Sequence, residues 1–203
     1  KTGDLVINAD LVILQGGMGQ RSSARIGHGG NNGSGNVSGN ISVTTDTGAV
    51  ILSGGDDTNS IAQIGMGGTG YSNLNAGNNN ISVLSATGVS LTSGTGSGAR
   101  TLIGHGSQGA SGFFNGNVSV IAQDGSVIVN ANGGGTSASS QIGHNSRSTT
   151  GATLGGEILV NASQNIEVTG GPRAFAFAQI GHGAAGGNGN FSGHVKVNAG
   201  DSV

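Results

Sequence analysis

The chain has 203 residues: 44 are glycine, 7 are Lys or Arg, 9 are Asp or Glu, one is proline, and none is cysteine or tryptophan. Glycine costs about 1 kcal/mol relative to alanine inside a helix, so this composition excludes a helical bundle and argues against a doubly wound α/β domain. A net charge of -2 with scattered basic residues excludes a phosphate-tracking groove for nucleic acid, and no apolar run reaches the length of a membrane span.

Read in chain order, the first predicted strand carries the alternating pair Leu5/Ile7, and a second carries Val12/Leu14. A third ends in Ile26-Gly27-His28-Gly29, and a weak fourth has the single apolar anchor Val37 in a Gly/Asn/Ser setting. The pattern then repeats. First-strand pairs recur as Ile41/Val43, Ile81/Val83, Val118/Val120, Ile158/Val160 and Val195/Val197. Second-strand pairs recur as Val50/Leu52, Val89/Leu91, Val127/Val129 and Ile166/Val168. The marker recurs as Ile64-Gly65-Met66-Gly67, Ile103-Gly104-His105-Gly106, Ile142-Gly143-His144-Asn145 and Ile180-Gly181-His182-Gly183, at steps of 38, 39, 39 and 38 residues. Leu74, Phe114, Leu154 and Phe191 follow Val37 as fourth-strand anchors. Period-two alternation of β-branched residues predicts short strands. Glycine and asparagine spacers predict turns. Collagen is excluded, since glycine has no three-residue period.

A repeat of 38–39 residues predicts a solenoid. Residues 1–203 read as a single β-solenoid segment cut from a longer array, covalently continuous with further repeats. The expected fold is all-β, a right-handed parallel β-helix, the hand following from the crossover rule. Marker and first-strand residues alternate at steps near 19–20 residues. That spacing favours about 19–20 residues per coil and two coils per repeat, hence ten coils in a rod about 48 Å long. One coil per repeat would give about half that length. A propeller is disfavoured by the weak fourth strand and the scarcity of aromatics.

The stretches Gly39-Asn40-Ile41-Ser42-Val43 and Gly48-Ala49-Val50-Ile51-Leu52, with the Ile-Gly-His-Gly markers, resemble the repeats of large filamentous-haemagglutinin-like bacterial adhesins, including two-partner-secreted and autotransporter passengers. The resemblance spans essentially the whole chain and carries no catalytic motif. It implies an exported right-handed β-helix at the bacterial cell surface that supports attachment, aggregation or biofilm matrix contact. The implied partner is an extracellular polysaccharide or a surface protein of host or bacterium. A passive stalk without ligand binding and a glycan-active β-helix enzyme are the alternatives.

The candidate residues follow from the repeat. Ile26, Ile64, Ile103, Ile142 and Ile180, with His28, Met66, His105, His144 and His182, are structural repeat positions. Equivalent side chains in a solenoid point the same way, so the histidines do not converge tetrahedrally as a zinc site requires. They would stand about 9.6 Å apart with two coils per repeat and about 4.8 Å apart with one. Met66 interrupts the row and favours packing over charge. No cofactor or metal is expected. Asp56-Asp57 reads as a solvated turn, and Glu157 and Glu167 as edge charges, so no catalytic residue is assigned and the chain does not read as an enzyme. Glycine-rich corners lack the acidic residues of calcium-binding repeats. Arg21, Arg25, Arg100, Arg147 and Arg173 cluster near the markers and form a candidate contact edge, joined by Tyr71, Phe113 or Phe114, Phe175 and Phe177. Phe175-Ala176-Phe177-Ala178 reads as strand alternation, with both rings filling a wider coil.

Overall fold

The computed structural model describes residues 2–144, 150–183 and 185–203. The first turn holds β1 (Leu5–Ala9), β2 (Val12–Gln15), β3 (Ala24–Ile26) and β4 (Ser34–Asn36). The second holds β5 (Ile41–Thr45), β6 (Val50–Ser53), β7 (Ala62–Ile64) and β8 (Ser72–Gly77). The third holds β9 (Ile81–Ser85), β10 (Val89–Thr92), β11 (Thr101–Ile103) and β12 (Gly112–Phe114). The fourth holds β13 (Val118–Ala122), β14 (Val127–Asn130), β15 (Ser140–Ile142) and β16 (Thr150–Leu154). The fifth holds β17 (Ile158–Ala162), β18 (Ile166–Thr169), β19 (Ala178–Ile180) and β20 (Asn188–Phe191), and β21 (Val195–Ala199) begins the next turn. Among the described residues there is no helix.

Each strand pairs in parallel with its equivalent one repeat away. The result is four sheets: β1-β5-β9-β13-β17-β21, β2-β6-β10-β14-β18, β3-β7-β11-β15-β19 and β4-β8-β12-β16-β20. The fold is therefore a parallel β-helix of about five turns. The expected all-β solenoid is the observed one, but its coil is twice as long as the spacing suggested. Ile26 pairs with Ile64 and Ile64 with Ile103, never with the first-strand valines. One turn takes the whole 38–39-residue repeat, so at a strand spacing of about 4.8 Å the five turns rise about 24 Å.

The physical reason lies in the side-chain columns. Parallel stacking aligns residues of like shape, and the two halves of a repeat are unlike. The first half carries Ile41/Val43 and Val50/Leu52, buried on strict alternation. The second half carries a three-residue marker strand, buried at every position in β7, β11 and β15. Its partner is a glycine-rich fourth strand whose register slips at Ser34/Asn36, Phe113/Phe114 and Thr150/Ala152. Equal spacing of the halves could not make them stack.

The interior is a set of columns. Ile41, Ile81, Val118 and Ile158 form one, Val50, Val89, Val127 and Ile166 another, and Ile64, Ile103 and Ile142 a third; all are buried. Each such side chain contributes about 1.5–3 kcal/mol by leaving water. Leu74, Phe114 and Leu154 fill the fourth side.

The marker glycine is required by close approach. A Cβ on Gly27 would fall on the carbonyl oxygen of Gly65, one on Gly65 on that of Gly104, and one on Gly104 on that of Gly143. Gly27 and Gly65 also hold φ of +151° and +154°.

Candidate functional site

The columns of chemically competent side chains lie at the corner that follows the third sheet. In the marker, the residues flanking the histidine position bond along the stack: Gly65 N–H donates to Ile26 C=O and Gly67 N–H to His28 C=O, each at 2.9 Å. The N–H of the histidine position itself points the other way, and a side chain meets it. Met66 N–H donates to His105 Nδ1 at 3.1 Å, His105 N–H to His144 Nδ1 at 3.1 Å, and His144 N–H to His182 Nδ1 at 3.2 Å. His28 N–H lies 3.4 Å from Met66 Sδ, so the thioether takes the imidazole's place as a weak acceptor.

The other ring nitrogen closes the turn. Nε2 of His28, His105, His144 and His182 lies 2.9, 2.8, 2.7 and 3.0 Å from the carbonyls of Gly3, Asn79, Gly116 and Gly156. A ring that accepts at Nδ1 and donates from Nε2 is the neutral Nε2–H tautomer. His105 and His144 are fully buried. Ring centroids are 4.8 Å apart for His105–His144 and for His144–His182, with interplanar angles of 14° and 22°. Burial lowers the His105 pKa to about 4, against a weaker upward pull from the Asn79 carbonyl. Burial pushes His144 well below its ordinary value, and charge on His105 or His182 would push it further. His182 is lowered by burial too.

A glutamine column runs beside the histidines. Gln63 Nε2 donates to the Gly104 and Gly106 carbonyls at 3.1 and 2.7 Å, and Gln141 Nε2 to those of Gly181 and Gly183 at 2.8 and 2.9 Å. Gln179 Nε2 donates to His182 C=O at 3.1 Å. Sequence reasoning did not assign these residues a role. The available signal is Gln-Ile-Gly, which recurs at residues 63–65, 141–143 and 179–181. The opposite corner carries an amide ladder: Asn40, Asn80, Asn117 and Glu157 N–H groups donate to Oδ1 of Asp4, Asn40, Asn80 and Asn117 at 2.7–3.0 Å. His194 continues that corner, its C=O accepting from Ile158 N–H.

The arginines do not make a continuous edge. Arg21 and Arg173 are exposed, but Arg25 is half-buried and Arg100 is fully buried. Arg147 lies outside the described residues. Loops flanking the third sheet fold over its outer side. There Arg25 donates to Gln63 Oε1 at 3.0 Å and Asn31 Oδ1 at 3.5 Å, and Arg100 donates to Gln108 Oε1 at 2.8 Å. Burial lowers the Arg25 pKa from its ordinary value.

The aromatic residues also divide. Tyr71 and Phe114 are buried, the tyrosine hydroxyl donating to Ser34 C=O at 3.0 Å. Phe113 is exposed. Phe175 is not a strand residue filling a wider coil. It precedes β19 at φ +57° and is 65% exposed. Its ring, with Phe177 and Phe191, lines an open cleft beside Gln179 and His182.

Asp56 accepts from Thr95 Oγ1 at 2.8 Å, and Asp57 accepts from Thr58 N–H at 2.6 Å, so the acidic pair is bonded within the turns. Among the described residues, no three His, Asp or Glu side chains gather closely enough to hold a metal ion, and no helix is long and apolar enough to cross a membrane. No protein-family model, curated protein or solved structure matches the chain.

Proposed function

We propose that this chain is a rigid rod segment of a secreted, surface-exposed bacterial adhesin of the filamentous-haemagglutinin-like kind, supporting attachment, aggregation or biofilm matrix contact. The observation that carries this reading is where the polar side chains go. The histidine, glutamine and asparagine columns are committed to bonds between turns. Such a stack is suited to mechanical work, holding faces at a fixed rise. Its outer faces are nearly uncharged: the first sheet presents Val6, Ser42, Ser82, Ser119, Leu159 and Lys196 along one outward row. Neutral repetitive faces suit weak multivalent contact better than one tight site.

The exposed rings of Phe175 and Phe191, with half-buried Phe177 and polar Gln179 beside them, form a surface on which a sugar ring could stack. An aromatic face with adjacent amide groups fits a neutral extracellular polysaccharide. A glycan array on the purified chain tests the reading. Binding to neutral polysaccharides is expected, reduced at least five-fold by Phe175→Ala with Phe191→Ala. Silence on the array and on host or bacterial surface proteins would overturn the adhesive reading and leave the passive stalk.

A further inference from the structure

We infer that the stacked histidines form an acid-sensitive lock: a proton entering the interior of the ladder opens the corners that His105, His144 and His182 close. Both nitrogens of His105 and His144 are engaged with backbone, Nδ1 as acceptor and Nε2 as donor. The one site for a second proton is therefore Nδ1, which already faces an N–H. Protonation there sets two hydrogens against each other and breaks the bond that ties one turn to the next. It also places a cation 4.8 Å from the neighbouring ring, in a setting sealed from water.

Among the described residues, no carboxylate acts on the rings as a counter-charge. The facing corner carries Asp4, Glu157 and His194. Arg25 lies on β3, Arg100 precedes β11, Tyr71 packs beside Gly29 and Gly33, and Lys196 points outward from β21. Among the described residues, the Nε2 partners are all backbone carbonyls. Asp4 instead accepts from Asn40 N–H.

The sign follows from linkage. His105 in the folded chain has its pKa lowered to about 4, while an unfolded histidine titrates near about 6.5. The unfolded state therefore binds more protons below about pH 6.5. Stability is complete above that value and is lost as pH falls toward 4. At pH 5, His105 alone lowers the folding constant by about 30-fold, and His144 and His182 are shifted in the same direction. Between about pH 6.5 and 5 most aspartates and glutamates are still ionised, so this window isolates the imidazoles.

Met66 supplies the test. It occupies the same position, accepts the same N–H and cannot take up a proton. The full chain and the variant His105→Met with His144→Met and His182→Met are unfolded in urea at pH 7 and at pH 5. The parent chain should lose at least 30-fold in folding constant between the two, and the variant less than five-fold, with His28 and His194 still present in both. Equal losses would overturn the proposal. Should the variant fail to fold, ¹⁵N-detected imidazole spectra of the parent chain decide. Three rings that stay in the Nε2–H form down to pH 5 support the lock. Ordinary titration of all three near about 6.5 refutes it.

Discussion

Replacing Gly65 with alanine should destabilise the rod far more than the same change at two other glycines, and the structure sets the order. The new methyl group would occupy the position of the Gly104 carbonyl oxygen, and the backbone there holds φ +154°. Conformational strain of this kind costs about 1–3 kcal/mol. Relief of the collision must move the next turn, which weakens Gly104 N–H to Ile64 C=O at 2.9 Å and Gln63 Nε2 to Gly104 C=O at 3.1 Å. Each such bond is worth about 1 kcal/mol, and more when a buried group is left unpaired. The total is about 4 kcal/mol. Gly134 has φ +93° but open space around its Cβ position, so Gly134→Ala carries strain alone, about 1–2 kcal/mol. Gly30 has open space and no such φ; there, alanine should be neutral or stabilising by up to about 1 kcal/mol through the unfolded chain. Urea unfolding followed by far-ultraviolet circular dichroism reads all three midpoints. Equal destabilisation by Gly65→Ala and Gly134→Ala would refute the close-approach argument.

Met66→His would insert an imidazole between His28 and His105. At pH 8 its stability should stay within about 1 kcal/mol of the parent, because Nδ1 can accept the His28 N–H that now meets sulfur. Its acid midpoint should rise, as measured by circular dichroism across pH 4–7. Gln63→Leu mimics Leu102, the residue at the same register one turn on. It removes the donor to two buried carbonyls and should cost about 1–3 kcal/mol in the urea midpoint.

Much of the fold was legible because a solenoid writes its period into its sequence. The alternation Ile41/Val43 and Val50/Leu52 gave the inward faces, and the Ile-Gly-His-Gly markers gave the beat. The number of coils per beat was not legible. Spacing near 19–20 residues pointed to two coils, and only the unlike shapes of the half-repeats decide which strands stack. The histidine row was visible, and one coil per repeat sets its 4.8 Å ring spacing. Its chemistry was not visible, since the partners are backbone N–H and C=O groups that no residue type announces. Arg100 misled for a similar reason. Charged residues are almost never fully buried unless paired, and its cover comes from loops whose path the sequence does not specify. Phe175 sits at φ +57°, a turn geometry that alternation with alanine disguised as a strand.

The central claim is that one 38–39-residue repeat makes one turn. The absence of cysteine allows spin labels at Val6→Cys and Lys196→Cys, outward positions on β1 and β21 separated by five strand steps in one sheet. Pulsed electron resonance should give a distance near about 24 Å, five steps of about 4.8 Å. A distance near about 48 Å would mean two coils per repeat and would contradict the account.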